Sequence, residues 1–138
     1  MSVQSITPYL LLNGRTRDAI ALYEQALGAT THSVATFGDT DGSCPSALEQ
    51  RVMHAELRVN GAVLLMSDGP ADSPVPDHNM VNIAIAFDDP AELRRAFDAL
   101  AVGGRVFEKV FPPPWGGLFG MVVDRFGMQW MCTCERAD

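Results

Sequence analysis

His54 and Glu56 lie two residues apart in the run Arg51 to Val59 of this 138-residue chain, a spacing at which two side chains could do chemistry together. If the run is a strand, alternation puts His54 and Glu56 on one face with Val52 and Arg58, and Met53, Ala55, Leu57 and Val59 on the other. The apolar set is expected to pack on a helix. On the free face, an imidazole beside a carboxylate could act as an acid/base pair or hold a divalent ion; a solvated strand face with no function is the alternative. A zinc deaminase motif is excluded, because His-x-Glu there requires a downstream Pro-Cys-x-x-Cys that is missing. An EF-hand at Asp39-x-Asp41-Gly42 fails too: the glycine falls one position off and Gln50 stands where the bidentate glutamate belongs. Neither His32 nor His78 has an acidic or cysteine partner at ligand spacing, so both read as surface histidines.

The stretch Pro112-Pro113-Pro114-Trp115-Gly116-Gly117 is either a stiff loop with a packing tryptophan or the lip of a pocket, where indole offers a large apolar area at low entropic cost. Met66, Met80, Met121, Met128 and Met131 read as core, although methionines also suit an adaptable apolar cleft. Cys44, Cys132 and Cys134 are odd in number and read as free thiols of a reducing cytoplasm, against a disulfide or a zinc site.

These residues need elements to position them. A helix is expected after Asn13-Gly14, with Ile20, Tyr23 and Leu27 on one stripe and Gly28 as its stop. A second is expected from Asp89-Pro90-Ala91-Glu92, with Asp89 as cap, Leu93, Phe97 and Leu100 as stripe and Gly103-Gly104 as end. Strands are expected at Ile6 to Leu12, Thr31 to Phe37, Arg51 to Val59, Ala62 to Ser67, Met80 to Phe87, Val106 to Phe111, Leu118 to Asp124 and Met128 to Cys134. Asn60-Gly61 marks a tight hairpin between two of them. The order is βαβββ twice. A shift of 74 residues lays Tyr23 on Phe97, Asp18 on Glu92 and Pro8 on Asn82, as an internal duplication would.

Composition agrees with one globular domain: 47% of residues are hydrophobic and 20% charged. Ten basic residues against seventeen acidic leave a net charge of −7, with no basic stripe for nucleic acid and no attraction to an anionic membrane surface. The apolar runs are too short to span a bilayer and the N-terminus lacks a signal-peptide pattern, so a cytoplasmic location is expected.

Several strings carry a family resemblance: Ile6-Thr7-Pro8-Tyr9-Leu10 with Asn13-Gly14, Met53-His54-Ala55-Glu56-Leu57, and Met66-Ser67-Asp68. Further along stand Trp115-Gly116, Phe119-Gly120 and Asp124-Arg125-Phe126-Gly127 with Trp130-Met131. With the doubled βαβββ order, they resemble the vicinal oxygen chelate superfamily (glyoxalase/bleomycin resistance/dioxygenase), and within it the PhnB-like group often labelled demethylubiquinone methyltransferase-like. The resemblance implies an α+β fold in which two modules form a curved mixed sheet with helices on its outer face. A single domain over 1–138 is expected, with half-modules 1–69 and 80–138 joined by a linker at 70–79 in a stretch rich in turn formers, and a homodimer. A small-molecule ligand would sit on the concave face, lined by Tyr9, His54, Glu56, Met66, Asn82, Trp115, Phe119 and Met131.

Enzymes of that superfamily hold a divalent metal on the concave face. Their four ligand positions fall here on Pro8, Glu56, Asn82 and Met131, of which only Glu56 is a good ligand, and His54 could join it from the same strand face. Two functions follow: binding of a small apolar or aromatic molecule, or a lyase, isomerase or dioxygenase using a divalent ion at His54 and Glu56. The same two residues are the candidate catalytic pair. The methyltransferase label finds no support, because no Gly-x-Gly-x-x-Gly motif for S-adenosylmethionine follows a strand.

Overall fold

In the computed structural model, which describes residues 2, 4–40, 44–76 and 81–138, the chain divides into two units, Met1–Pro76 and Asp77–Asp138. The first holds β1 (Tyr9–Leu11), α1 (Thr16–Leu27), β2 (Thr30–Thr36), the single turn α2 (Phe37–Thr40), a 3-10 turn at Ser46–Leu48, β3 (Val52–Val59) and β4 (Ala62–Ser67). The second holds β5 (Ile83–Phe87), α3 (Pro90–Ala101), β6 (Arg105–Phe111), β7 (Leu118–Val123) and β8 (Gln129–Cys134). Each unit has its own four-stranded mixed sheet, ordered β1-β4-β3-β2 and β5-β8-β7-β6. In both, the first strand pairs parallel with the last and the other pairings are antiparallel. The fold is α+β, with the βαβββ order twice. His78, Met80, Asp41 and Gly42 lie outside the described residues.

The duplication extends to detail. Both long helices have 12 residues and start 74 positions apart, at Thr16 and Pro90. The edge strands β2 and β6 share one burial pattern, and the first register break of each falls at its third residue, leaving His32 opposite no partner in one and Phe107 in the other. A bulge residue at the same point of a strand is a backbone feature that two unrelated segments would not share by pattern alone.

Local chemistry sets the element boundaries. β1 starts later than its apolar run because Pro8 has no N–H for a ladder; its carbonyl still accepts the Leu65 N–H at 3.1 Å. Asn60 and Gly61 both take positive φ, 45° and 85°, as the tight β3–β4 hairpin requires. Asp89 holds the N-cap position of α3 and Pro90 the next, but the Asp89 side chain makes no capping hydrogen bond. Glu92 pairs instead with Arg95 at 3.1 Å. The first helix is capped from afar: Asp68, buried just past β4, accepts the Thr16 N–H at 2.8 Å on one oxygen and the Val52 N–H at 2.7 Å on the other. One carboxylate thus ties α1 to the start of β3, and the negative charge suits the helix N-terminus.

Each sheet buries one face under its helix. In the first unit Ala55, Leu57, Met66 and Leu10 are buried with Ala19, Ile20, Leu22, Tyr23 and Ala26 of α1, and Ala55 pairs with Met66, which pairs with Leu10. Strict alternation fails at one point. Ala35 pairs with His54 but Thr36 with Val52, so Met53 is an extra residue that turns Val52 to the buried side. In the second unit Trp130, Cys132, Cys134, Leu118 and Val122 are buried, and Phe97 of α3 lies over Gly120, where a Cβ would meet its ring at 2.9 Å.

Asp124 is the polar anchor of the second core. It accepts the Phe126 N–H at 2.9 Å, the Met128 N–H at 3.1 Å and the Trp130 indole N–H at 2.8 Å. Asp124→Ala strips the partners from these donors, and the expected loss is about 2–4 kcal/mol in urea unfolding, since each buried donor left unmade costs ~1–3 kcal/mol. A loss below about 1 kcal/mol would contradict that role.

Burial pushes the Cys132 thiol up to about 12. A folded-state value raised above the unfolded one, ~8.5, means that the unfolded chain ionises first and stability falls as pH rises between the two. Unfolding at a series of pH values above ~9 should show a steeper decline for wild type than for Cys132→Ala, by up to about 1.4 kcal/mol per unit; equal slopes would refute the assignment. All three cysteines are free thiols.

Candidate functional site

On the first sheet, the face turned from α1 carries His54 and Glu56, with partners that spacing could not show. The Tyr9 hydroxyl stands 3.0 Å from His54 Nδ1, and the two rings are 5.7 Å apart and tilted. With the Tyr9 O–H donating, Nδ1 accepts and the proton rests on Nε2. Glu56 does not meet His54: its carboxylate accepts the Arg58 Nε–H at 2.9 Å. Ser33, Glu56, Leu65 and Tyr9 form one cross-strand row, so the pair Glu56–Arg58 and the pair Tyr9–His54 share a face. Met66 does not join them. It is fully buried on the opposite, helix-facing side between Ala55 and Leu10, because its parity follows Ala55 and not His54.

On the second sheet the corresponding face is aromatic and sulfur-rich. Phe111 pairs with Phe119 and Phe119 with Thr133; Met121 pairs with Met131 and Met131 with Ala84. Phe119 touches two rings edge-on, Phe111 and Trp115, each at 6.1 Å between centroids. Asn82 is exposed just before β5, at the parity of Ala84. Phe111 was not singled out from the sequence; the signal would have been its pairing with Phe119, which depends on two register breaks in β6.

Trp115 is 75% exposed yet held in place. Its loop leaves the stiff Pro112-Pro113-Pro114 run, closes a turn through the Gly116 N–H to the Pro113 carbonyl at 3.0 Å, and docks on the end of β8 at Gly117. That residue has φ 74°, and a Cβ there would overlap the Cys134 carbonyl oxygen. Behind Trp115 a half-open cavity of about 680 Å³ is lined by Ala86, Thr133, Leu118, Asp88, Glu135 and Arg136, among others, within the usual range for small-molecule sites. A smaller hollow of about 370 Å³ lies by the start of α1, near Arg17 and Arg51.

Residues 5–132 match the model of the glyoxalase/bleomycin resistance protein/dioxygenase superfamily. The chain belongs to that superfamily. Protein YjdN of Escherichia coli K12 is 31% identical, the alignment covering 91% of this chain and 92% of YjdN. The crystal structure of protein PA1353 from Pseudomonas aeruginosa is 38% identical and superposes with a TM-score of 0.87 over 97% of this chain and 99% of that one. A PhnB protein from Bacillus cereus, 20% identical, shares the fold with a TM-score of 0.77 over 95% and 99% of the two chains. No helix among the described residues is long and apolar enough to cross a membrane.

The positions that the resemblance implies as metal ligands offer a poor set of donors. Pro8 has no side-chain donor, Met131 offers a thioether poorly suited to hard divalent ions, Asn82 is a neutral amide, and Glu56 is ion-paired to Arg58. His54 adds one nitrogen. Among the described residues no three His, Cys, Asp or Glu side chains gather as a metal site. This donor set does not fit the divalent ion of the superfamily's enzymes.

The docking of Gly117 should be measurable. Gly117→Ala is expected to cost at least about 2 kcal/mol, from a strained φ combined with overpacking, and to change the near-ultraviolet circular dichroism as Trp115 leaves Phe119. An unchanged spectrum and stability would show that the loop is not fixed there.

Proposed function

We propose that this superfamily member binds a small molecule with an aromatic or apolar body on the open sheet face of its second unit, against Trp115, Phe119, Met131 and Asn82. The observation that carries the reading is the exposed Trp115, edge-on to Phe119 at 6.1 Å, on a face that also carries the half-buried pair Met121 and Met131. Such a surface is pre-organised, so a ligand meets aromatic area that loses little freedom on binding. The open face of the first unit adds a different capacity: Tyr9, 47% exposed, together with His54 and the Glu56–Arg58 pair, can grip a carbonyl or hydroxyl group by hydrogen bonds. Binding or sequestration, rather than turnover at a metal, suits the donor set described above.

Tryptophan fluorescence and thermal shift across a panel of neutral aromatic fragments test this reading. At one hundred times Kd a ligand should add about 2.7 kcal/mol of stability, a rise in Tm of roughly 5–10 °C, and Trp115→Ala should abolish both signals. No response from any fragment would end the proposal. Near-stoichiometric zinc or manganese retained by the purified protein, and lost in a His54→Ala/Glu56→Ala double variant, would replace it with a metal-dependent lyase, isomerase or dioxygenase.

A further inference from the structure

The cavity behind Trp115 has a charge pattern that the open face lacks. It sits at the carboxyl ends of β5 and β8, and its ionisable lining residues are Asp88, Glu135 and Arg136. Two carboxylates against one guanidinium leave an excess of one negative charge. Arg136 turns its Nη1 toward the Asp88 backbone carbonyl oxygen at 3.3 Å and forms no ion pair with either acid. The carboxylates of Asp88 and Glu135 have no hydrogen-bonded or ion-paired partner among the described residues. The rest of the wall, Phe87, Leu118 and the indole of Trp115 included, is apolar or small except for Thr133, whose hydroxyl donates to the Ile85 carbonyl oxygen at 3.4 Å. Indole is the side chain whose face best attracts a cation.

We propose that this cavity takes an organic cation, a protonated amine or quaternary ammonium with an apolar body, its charge placed between the Trp115 face and the carboxylates of Asp88 and Glu135. The proposal deepens the reading of the second unit as a small-molecule site and rests on it; what it adds is the sign of the ligand's charge and the end of the sheet where that charge sits. The chain's net charge of −7 favours encounter with such a ligand and disfavours anions. A phosphate or carboxylate ligand would face two unpaired carboxylates there.

Isothermal titration of the full chain at low salt with three probes of similar size tests this: benzyltrimethylammonium, benzyl alcohol and phenylacetate. Benzyltrimethylammonium should bind at least about tenfold more tightly than benzyl alcohol, with phenylacetate weakest. Both acids are exposed, so an Asp88→Asn/Glu135→Gln double variant should fold as wild type, checked by circular dichroism, while the cation's advantage falls to about twofold or less. Trp115→Ala should weaken the cation by about tenfold. If benzyl alcohol and the cation bind alike and the double variant changes neither, the cation assignment is wrong while the aromatic-surface reading stands. If the cation binds Trp115→Ala as well as wild type, the assignment is also wrong. If none of the three binds wild type, both readings fall.

Discussion

A four-stranded sheet has two faces, and each unit of this chain has one long helix with which to cover them. α1 and α3, 12 residues each, bury an apolar stripe against one side. Tyr23 and Leu57 meet this demand in the first unit, Phe97, Cys132 and Trp130 in the second, all buried. The uncovered sides then carry whatever strand alternation leaves over. In the first unit that is a polar set ordered by hydrogen bonds, and in the second an aromatic and methionine set ordered by ring contacts. The difference between the halves of a duplicated fold thus lies in the residues each was free to change, those that do not pack on the helix.

Two buried carboxylates maintain that arrangement. Asp68 bonds the first N–H of α1 and the first of β3, and Asp124 bonds two backbone N–H groups of the β7–β8 turn and the Trp130 indole. Both belong to the strings that carry the family resemblance, Met66-Ser67-Asp68 and Asp124-Arg125-Phe126-Gly127 with Trp130. Much of that signature therefore serves the scaffold. These anchors hold backbone and core and involve none of Pro8, Asn82 and Met131, the positions that the resemblance implies as metal ligands.

What was legible in the sequence was local or periodic. The stops and starts of both helices, the Asn60-Gly61 turn and the 74-residue offset were readable because each depends on residues close together in the chain. The site was legible as far as alternation holds, which placed His54 and Glu56 on one face; Phe119 and Met131, on β7 and β8, were named as ligand-lining residues only through the family resemblance. Register was not legible. The extra residue Met53 turns Val52 inward, Met66 follows Ala55 into the core, and Glu56 finds Arg58 rather than His54. Each outcome depends on which residue of a neighbouring strand lies opposite, and that is decided by long-range pairing. The division after Pro76 falls within the turn-rich stretch, but Val75 is not free there: its N–H and carbonyl are both bonded to the Asn13 side chain, at 2.9 and 2.8 Å.

The central claim is that the helix-covered faces are core and the open face of the second unit receives the ligand. Methionine methyl groups report on both, because Met121 and Met131 are half-buried on the open face while Met66 is fully buried. Methyl-labelled methionine NMR during titration with neutral aromatic fragments measures the claim directly. The account requires the Met121 and Met131 signals to move with a common saturation curve while Met66 stays in place. Shifts centred on Met66, or none at Met121 and Met131 under a fragment that binds, would contradict it.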